Sequence, residues 1–357
     1  MNAAPLIFAI NPGSTTTKIA LFRGTRCRFD SEVKHDAAKL ARCATIIAQD
    51  DLRRAALTEA LAQRGVAVES IDIFMARGGL LRPVPSGVYE INERMLDDLR
   101  SCKYGQHACN LGAILAAEMA GACGKKAYIA DPPVVDELSD EARLSGHPDI
   151  PRRSTFHALS QKAAARTVAA KLGKDYRKCN LIVAHMGGGI SVGAHRKGRV
   201  IDVNNGLDGE GPFTPERTGS LPLLTFFHWA TDRKLSLQQV YKIVTRHGGL
   251  LAHLGTNDCR IIEDKAAAGE AKFARVYDAF IYGIAKQIGA MAAALAGKVD
   301  AIVLTGGVVH GPLLVRKLKR AIGFIAPVHL VVKNSEMAAL IAAAMDLYRG
   351  LQKPSLY

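Results

Sequence analysis

Residues 181–222 read LIVAHMGGGISVGAHRKGRVIDVNNGLDGEGPFTPERTGSLP. Leu181-Ile182-Val183-Ala184 is a short, β-branched apolar run of the kind that forms a buried strand. His185 follows, then Gly187, Gly188 and Gly189. A second run, Ile190 to Ala194, leads to the basic turn Arg196-Lys197-Gly198, and Val200-Ile201 resumes the sheet. Glycines in a tight strand-to-strand turn let backbone N–H groups approach an anion that a Cβ would hold away. A Gly-rich hairpin with no ligand is the alternative. The loop beyond carries Asp208 and Glu210 and closes on Arg217, whose planar fork suits an oxyanion.

The chain's beginning repeats this design. Ile7 to Ile10 is an apolar run, Asn11-Pro12-Gly13-Ser14-Thr15-Thr16-Thr17-Lys18 is a small-residue turn, and Ile19 to Phe22 is a second run. Asn11, the hydroxyls of Ser14 and Thr16 and the amine of Lys18 suit a polyphosphate and its metal. No GxxxxGK[ST] is present and the turn enters a strand, so this is not a Walker A loop. Ala301 to Thr305 is a further strand, running into Gly306-Gly307 before a basic segment. Two facing hairpins and a Gly-Gly turn predict two related α/β domains with a nucleotide between them.

Longer motifs accompany these turns: NPGSTTTK (11–18), ARGGLLRPVPSG (76–87), FHALSQKAAAR (156–166), HMGGGISVGAHRKGRVIDVNN (185–205), LDGEGPFTPERTG (207–219), LGTNDCR (254–260) and VDAIVLTGG (299–307). Together they resemble the butyrate kinases, which belong with the acetate and propionate kinases in the actin, hexokinase and sugar-kinase superfamily. The resemblance covers nearly the whole chain. It implies two actin-like (ribonuclease H-like) domains, mixed sheets flanked by helices, with an interdomain cleft. It also implies Mg²⁺-dependent phosphoryl transfer from ATP to a short carboxylate (butyrate, or acetate, propionate or a branched acid such as isobutyrate) and a homo-oligomer, dimer or larger. A non-catalytic ATP-binding clamp on the same fold is the alternative from another class.

Residues 1–150 plus 338–357 are expected to form the N-terminal acyl- and phosphate-side domain, with a returning C-terminal helix. Residues 151–337 form the nucleotide-binding domain, the boundary lying in the polar, Pro-rich stretch 140–153. Residues 36–64 read as helix, ending at Gly65, and Ile71 to Met75 as a strand. Arg77, at the end of that strand before Gly78-Gly79, either faces the substrate or is a surface arginine beside a turn. In acetate kinases the comparable arginine stands four residues before the glycines. Asp131 ends the strand Ala127–Ala130 before two prolines and is either a metal ligand or a cap; the resemblance favours the metal.

A helix is predicted from Ser154 to Leu172 with His157 in its first turn, where the dipole favours a neutral imidazole. The resemblance makes His157 catalytic; Phe156 beside it is a candidate wall of the acyl pocket, and His185 is a candidate second donor to the transferring phosphoryl. It also places Asp258 and Arg260 against adenosine, although Asp258 equally suits a helix N-cap. Glu336 opens the last helix, as a metal ligand or as an acidic first-turn residue. Butyrate kinases carry a Gly-Glu-Asp-Glu-like run here, and this chain has Lys333-Asn334-Ser335-Glu336.

At 357 residues the chain is long enough for two cores, and 48% hydrophobic with 22% charged content is that of a globular protein. No run reaches the length of a membrane span, no signal peptide is visible, and the seven cysteines show no CxxC or metal-ligand spacing, which suits a reduced cytoplasm. The net charge of +14 attracts polyanions. The Lys and Arg residues are dispersed and no nucleic-acid-binding signature is present, so a nucleic-acid partner is not expected.

Overall fold

The computed structural model describes residues 4–332 and 336–357, which divide into two compact units: 4–135 with 336–357, and 136–332. In the first unit lie β1 (Leu6–Pro12), β2 (Thr16–Arg23), β3 (Arg26–Lys34), α1 (Ala37–Ala41), α2 (Asp50–Ala62), β4 (Ile73–Arg77), β5 (Val88–Glu90), α3 (Glu93–Arg100), α4 (Asn110–Gly121) and β6 (Ala127–Ala130). The second holds α5 (Asp140–Arg143), α6 (Ala158–Lys171), β7 (Asn180–Met186), β8 (Ile190–Arg196), β9 (Arg199–Val203), α7 (Leu223–Asp232), α8 (Leu237–Thr245), α9 (Gly249–Leu254), α10 (Cys259–Ala267), α11 (Ala271–Ala294), β10 (Ala301–Thr305), α12 (Pro312–Ile322) and β11 (Val328–Val331). The chain then returns to the first unit with α13 (Glu336–Tyr348) and β12 (Ser355–Leu356).

The internal repeat seen in the sequence is a repeat of topology. The first sheet runs β12-β5-β6-β4-β1-β2-β3 and the second β11-β10-β7-β8-β9. In each, an antiparallel three-strand meander is joined to parallel strands on its first member: β4 and β6 beside β1, β10 and β11 beside β7. Even the register shift recurs, between Leu21 and Phe22 in one unit and between Ala194 and His195 in the other.

Central strands sandwiched by helices must be apolar on both faces, and β1 is buried along its whole length. On β7 the alternation sorts the cores: Ile182, Ala184 and Met186 join Phe280, Ile284 and Ile288 of α11, whereas Leu181 and Val183 join Ala165 and Val168 of α6. β3 alternates exposed and half-buried residues, as an edge strand with charged side chains does.

Three sequence expectations change. The boundary falls between 135 and 136, because residues 136–153 bond within the second unit. Lys162 Nζ donates to Glu137 Oε2 (2.9 Å), Ser139 N–H to Ile201 O (2.8 Å), and Arg152 to Asp202 (3.0 Å) and Glu210 (3.2 Å). The 36–64 helix is broken between α1 and α2, where Thr45 Oγ1 accepts from Ala48 N–H (3.2 Å) and starts a new turn. The helix expected from Ser154 begins at Ala158.

Candidate active site

In the second unit the candidate residues collect at the C-terminal edge of β7 and β10. The turn after β7 closes with Gly187 N–H on Gly189 O at 3.0 Å. None of its glycines has a positive φ. Gly189 is required for space: an ideal Cβ there would lie 2.9 Å from Arg217 Cζ and closer still to Nη1. At Gly187 and Gly188 the nearest groups would be His185 Nε2 at 3.4 Å and Glu216 Oε2 at 3.9 Å, ordinary contacts. The placement of Arg217 therefore demands one glycine of the three.

Arg217 lies across this turn. Its Nη1 donates to Gly206 O, its backbone N–H to Thr214 Oγ1 (3.0 Å), and Thr214 Oγ1 in turn donates to Gly188 O (2.7 Å). Gly306, at φ +96°, has no room for a side chain because a Cβ would lie 2.7 Å from Met186 C, whereas Gly307 faces open space. His157 and His185 stack with ring centroids 4.0 Å apart and 16° between planes. Phe156, beside them in sequence, is buried. His157 is the N-cap residue of α6 rather than a first-turn residue: its backbone (φ −82°, ψ 62°) is not helical, and its N–H, which a helix start leaves without an internal partner, donates to Ser191 Oγ (3.3 Å).

A buried polar chain that the sequence reading passed over fixes the His157 ring. Gln161 Nε2 must donate to Ser191 O (2.9 Å), which sets its amide, and also donates to Ser191 Oγ (2.8 Å). Ser191 Oγ thus accepts from Gln161 and from the His157 N–H. Its single hydrogen goes to His157 Nδ1 at 2.8 Å, so the proton of neutral His157 sits on Nε2. Gln161 Oε1 accepts from His195 Nε2 (2.9 Å), and Tyr176 Oη contacts His195 Nδ1 (2.7 Å). Burial first, then the charges of Lys162 and Arg166, hold His195 well below its ordinary pKa, so it is neutral. The available signal was periodicity: Ser191, Gly193 and His195 share one face of β8, and Gln161 is one helical turn beyond His157. Gly193 leaves the space, since a Cβ would lie 2.6 Å from Gln161 Oε1.

In the first unit the corresponding edge gathers Asn11, Arg77, Asp131 and Glu336. Registers Ile10↔Ala76 and Arg77↔Ala130 put the ends of β1, β4 and β6 side by side. Glu336 Oε2 accepts from Asn11 Nδ2 (2.5 Å) and pairs with Arg77 (3.5 Å), so Arg77 is not a free surface group. The Glu336 charge is the main reason that the Arg77 pKa rises. Gly78 and Gly79 serve packing: Cβ atoms there would meet Pro132 at 2.6 Å and Asn110 at 2.7 Å. Asp131 is buried at φ +38° and its Oδ1 accepts from Ser86 Oγ (2.5 Å) and Gly87 N–H (3.0 Å). A non-glycine residue held there is strained, a feature that clusters at functional sites.

The first turn, 13–16, exposes Ser14 and leaves Thr16 half-buried, with Lys18 exposed. Beneath it lies Arg53, also passed over in the sequence. Asp258 caps α10 through Arg260 N–H (2.9 Å) and pairs with the exposed Arg260 side chain (3.0 Å), so its capping role is real; no adenosine contact is assigned by this geometry. Residues 333–335 lie outside the described residues. Among those described, no three His, Cys, Asp or Glu side chains converge as a ready-made metal cage. Magnesium is held by one or two carboxylates, substrate phosphates and retained water, and the hard oxygens of Asp131 and Glu336 fit that requirement.

Residues 148–329 match the model of the acetokinase family. The chain belongs to that family. It is 48% identical over 344 residues to a Phocaeicola vulgatus protein named "Probable butyrate kinase", covering 96% of this chain and 97% of that one. A Listeria monocytogenes serotype 4b protein of the same name is 42% identical over 351 residues, 98% of this chain and 99% of the other. The fold of this acetokinase-family chain is shared with Porphyromonas gingivalis acetate kinase (TM-score 0.76, 20% identity, 96% and 99% of the two chains). It is shared equally with a propionate kinase from Francisella tularensis (TM-score 0.77, 18% identity, 95% and 98%). No described helix is long and apolar enough to cross a membrane.

Proposed function

We propose that this acetokinase-family chain transfers the γ-phosphoryl group of ATP to butyrate, reversibly, giving butyryl phosphate and ADP. A carboxylate oxygen attacks the γ-phosphorus, a P–O bond forms in line, and the bond to the β-phosphate oxygen breaks. The carboxylate is ionised near neutral pH, so the step needs no general base. What it needs is alignment and charge neutralisation around a loose transition state. The observation that carries the proposal is the assembly of Arg217, the Gly187–Gly189 turn and the stacked His157–His185 pair at one sheet edge. Arg217 supplies a forked cation, the turn supplies N–H groups, and His157 supplies an Nε2–H whose tautomer is fixed from behind.

Arg77, Asn11, Ser14, Thr16 and Lys18 are the groups through which the first unit would contact the carboxylate and the phosphates. Gly306 and Gly307 belong to the nucleotide side, with Asp258 and Arg260 toward adenosine. Mg²⁺, when bound, neutralises the β- and γ-phosphate oxygens, and Asp131 and Glu336 would hold it largely through water. The names of the 42–48% identical relatives support butyrate over shorter acids. The test is acyl-hydroxamate formation with ATP across two- to six-carbon carboxylates. The highest kcat/KM on butyrate supports the proposal, a maximum on acetate, propionate or isobutyrate changes the substrate, and no acyl phosphate from any acid overturns it.

A further inference from the structure

Arg53, on α2, is fully buried at 0% exposure. A guanidinium has five N–H donors, and here each has an acceptor. Nε and Nη2 donate to Gln49 Oε1 (3.1 and 2.9 Å), Nη2 also to Ser14 O (2.7 Å), and Nη1 to Thr16 O (3.2 Å) and Thr17 Oγ1 (3.1 Å). All of these acceptors are neutral. The described residues include no ion-pair partner for Arg53, whereas the other deeply buried cation, Lys162, has Glu137 at 2.9 Å. The neighbouring histidine is no counter-charge either. His35 bonds Thr17 Oγ1 at 2.8 Å, and burial together with the Arg53 charge lowers its pKa to about 4.

Hydrogen bonds satisfy the geometry of this cation and leave its charge uncompensated, which is unfavourable in a buried site. What the arrangement accomplishes is read from the turn. In a trans peptide the C=O and N–H point in opposite directions. Ser14 O is drawn inward onto the guanidinium, so the N–H of Thr15 is turned outward, on the exposed side that carries Ser14 and Thr15. Thr16 O is fixed doubly, by Arg53 and by Gly13 N–H at 2.7 Å.

We propose that Arg53 is a positioning residue for polyphosphate. It locks the 13–16 turn with the Thr15 N–H outward and keeps beneath it a positive charge that the phosphates of the nucleotide complete. This rests on reading that turn as a phosphate-binding turn. The test uses the full chain with Arg53→Met (stem kept, charge removed), Arg53→Lys (charge kept, fork lost) and Lys18→Ala as a reference within the turn. The probe is inorganic tripolyphosphate by titration calorimetry, alongside thermal midpoints and the KM values for ATP and butyrate. Arg53→Met should stay folded, with tripolyphosphate Kd and ATP KM raised about tenfold and butyrate KM within about twofold; Arg53→Lys should recover part of the loss. A folded Arg53→Met with native tripolyphosphate and ATP affinity overturns the proposal, as do equal losses for ATP and butyrate. If Arg53→Met does not fold, Arg53→Lys decides by the same split between ATP and butyrate. If Lys18→Ala leaves ATP KM and tripolyphosphate Kd at native values in an active enzyme, the reading of the turn falls and the proposal falls with it. Absence of acyl phosphate from the native protein is a separate failure, of the function and not of Arg53.

Discussion

Gly189→Ala is the perturbation whose outcome the structure fixes most closely. One methyl is added where an ideal Cβ would stand 2.9 Å from Arg217 Cζ and nearer to Nη1. Carbon contacts are comfortable from about 3.5 Å, and Nη1 is the nearest atom, so the guanidinium must withdraw by roughly 1 Å or more. The backbone does not resist the change, since Gly189 is not at positive φ. Arg217 is also only half-buried, so its displacement costs the fold little. A misplacement of about 1 Å in an aligning group is worth about 10²-fold. Gly189→Ala should therefore lower kcat by on the order of 10²-fold with a near-native thermal midpoint. Gly187→Ala and Gly188→Ala are the controls. Their methyls meet nothing closer than 3.4 Å in the protein, so any effect must come through a bound phosphate and should raise ATP KM more than it lowers kcat. The assay is ADP release at saturating ATP and butyrate, with circular dichroism melts for each variant. A folded Gly189→Ala enzyme within about threefold of native kcat would refute the reasoning, as would a larger kcat loss for Gly188→Ala.

Arg217→Ala removes the cation outright and should lower kcat on the order of 10³-fold or more while the protein stays folded, by analogy with arginine fingers; near-native turnover would remove Arg217 from the mechanism. Ser191→Ala releases His157 Nδ1, so ¹⁵N NMR of the imidazole should pass from one Nε2–H tautomer to a mixture, with kcat down about 10-fold or more. An unchanged tautomer in a folded Ser191→Ala protein would break the chain from Gln161 to His157. Asp50 tests the pH dependence of the first unit. Burial, aided by the neighbouring Glu118, pushes its carboxyl up from 3.8 to about 7. The folded state then binds a proton that the unfolded chain lacks between these values, so this group's contribution to stability falls as pH rises from about 4 to about 7. Asp50→Asn should raise the thermal midpoint at pH 8 and lose that advantage by pH 4, and a constant difference across the range would contradict the assignment. Leu223 (78% exposed), Leu224 (72%) and Phe227 (63%) stand on α7, which buries no residue. If this face joins copies of the chain, Leu224→Asp with Phe227→Asp should halve the mass found by analytical ultracentrifugation, and an unchanged mass would place any self-association elsewhere.

The legible part of this molecule was the part set locally. Two strand–turn–strand units announce themselves by short apolar runs on either side of small residues, and the structure places both at the head of meanders with one strand order. Helix limits were less legible where the backbone leaves helical angles with no proline or glycine to announce it. His157 stands just outside its helix at φ −82°, ψ 62°, and Ser191, 34 residues on, satisfies its N–H. The site's supports were hidden because their partners are distant in sequence. Gln161 and Ser191 look like surface polar residues until α6 is laid on β8. Arg53, in the charged run DDLRR, gives no hint that it reaches Thr16, 37 positions earlier. Glu336 meets Asn11 across 325 residues. Its role beside Arg77 could be guessed only from resemblance.

The two turns also explain why their sequences differ although their topology does not. On the proposed function, each presents N–H groups to an anion and has positive charge nearby. At 13–16 the cation approaches from behind, through the core, and grips carbonyls on the inner side. The outer side is left clear, so Ser14, Thr15 and Thr16 can carry hydroxyls there. At 187–189 the cation crosses the turn itself, and Arg217 occupies the volume that a side chain on residue 189 would fill. A turn with its charge behind tolerates hydroxyls, and a turn with its charge in front requires glycine. Exchange of the two sequences tests this: Gly-Ser-Thr placed at 187–189 should displace Arg217 as Gly189→Ala does, while Gly replacing Ser14 and Thr15 should leave Arg53 in place.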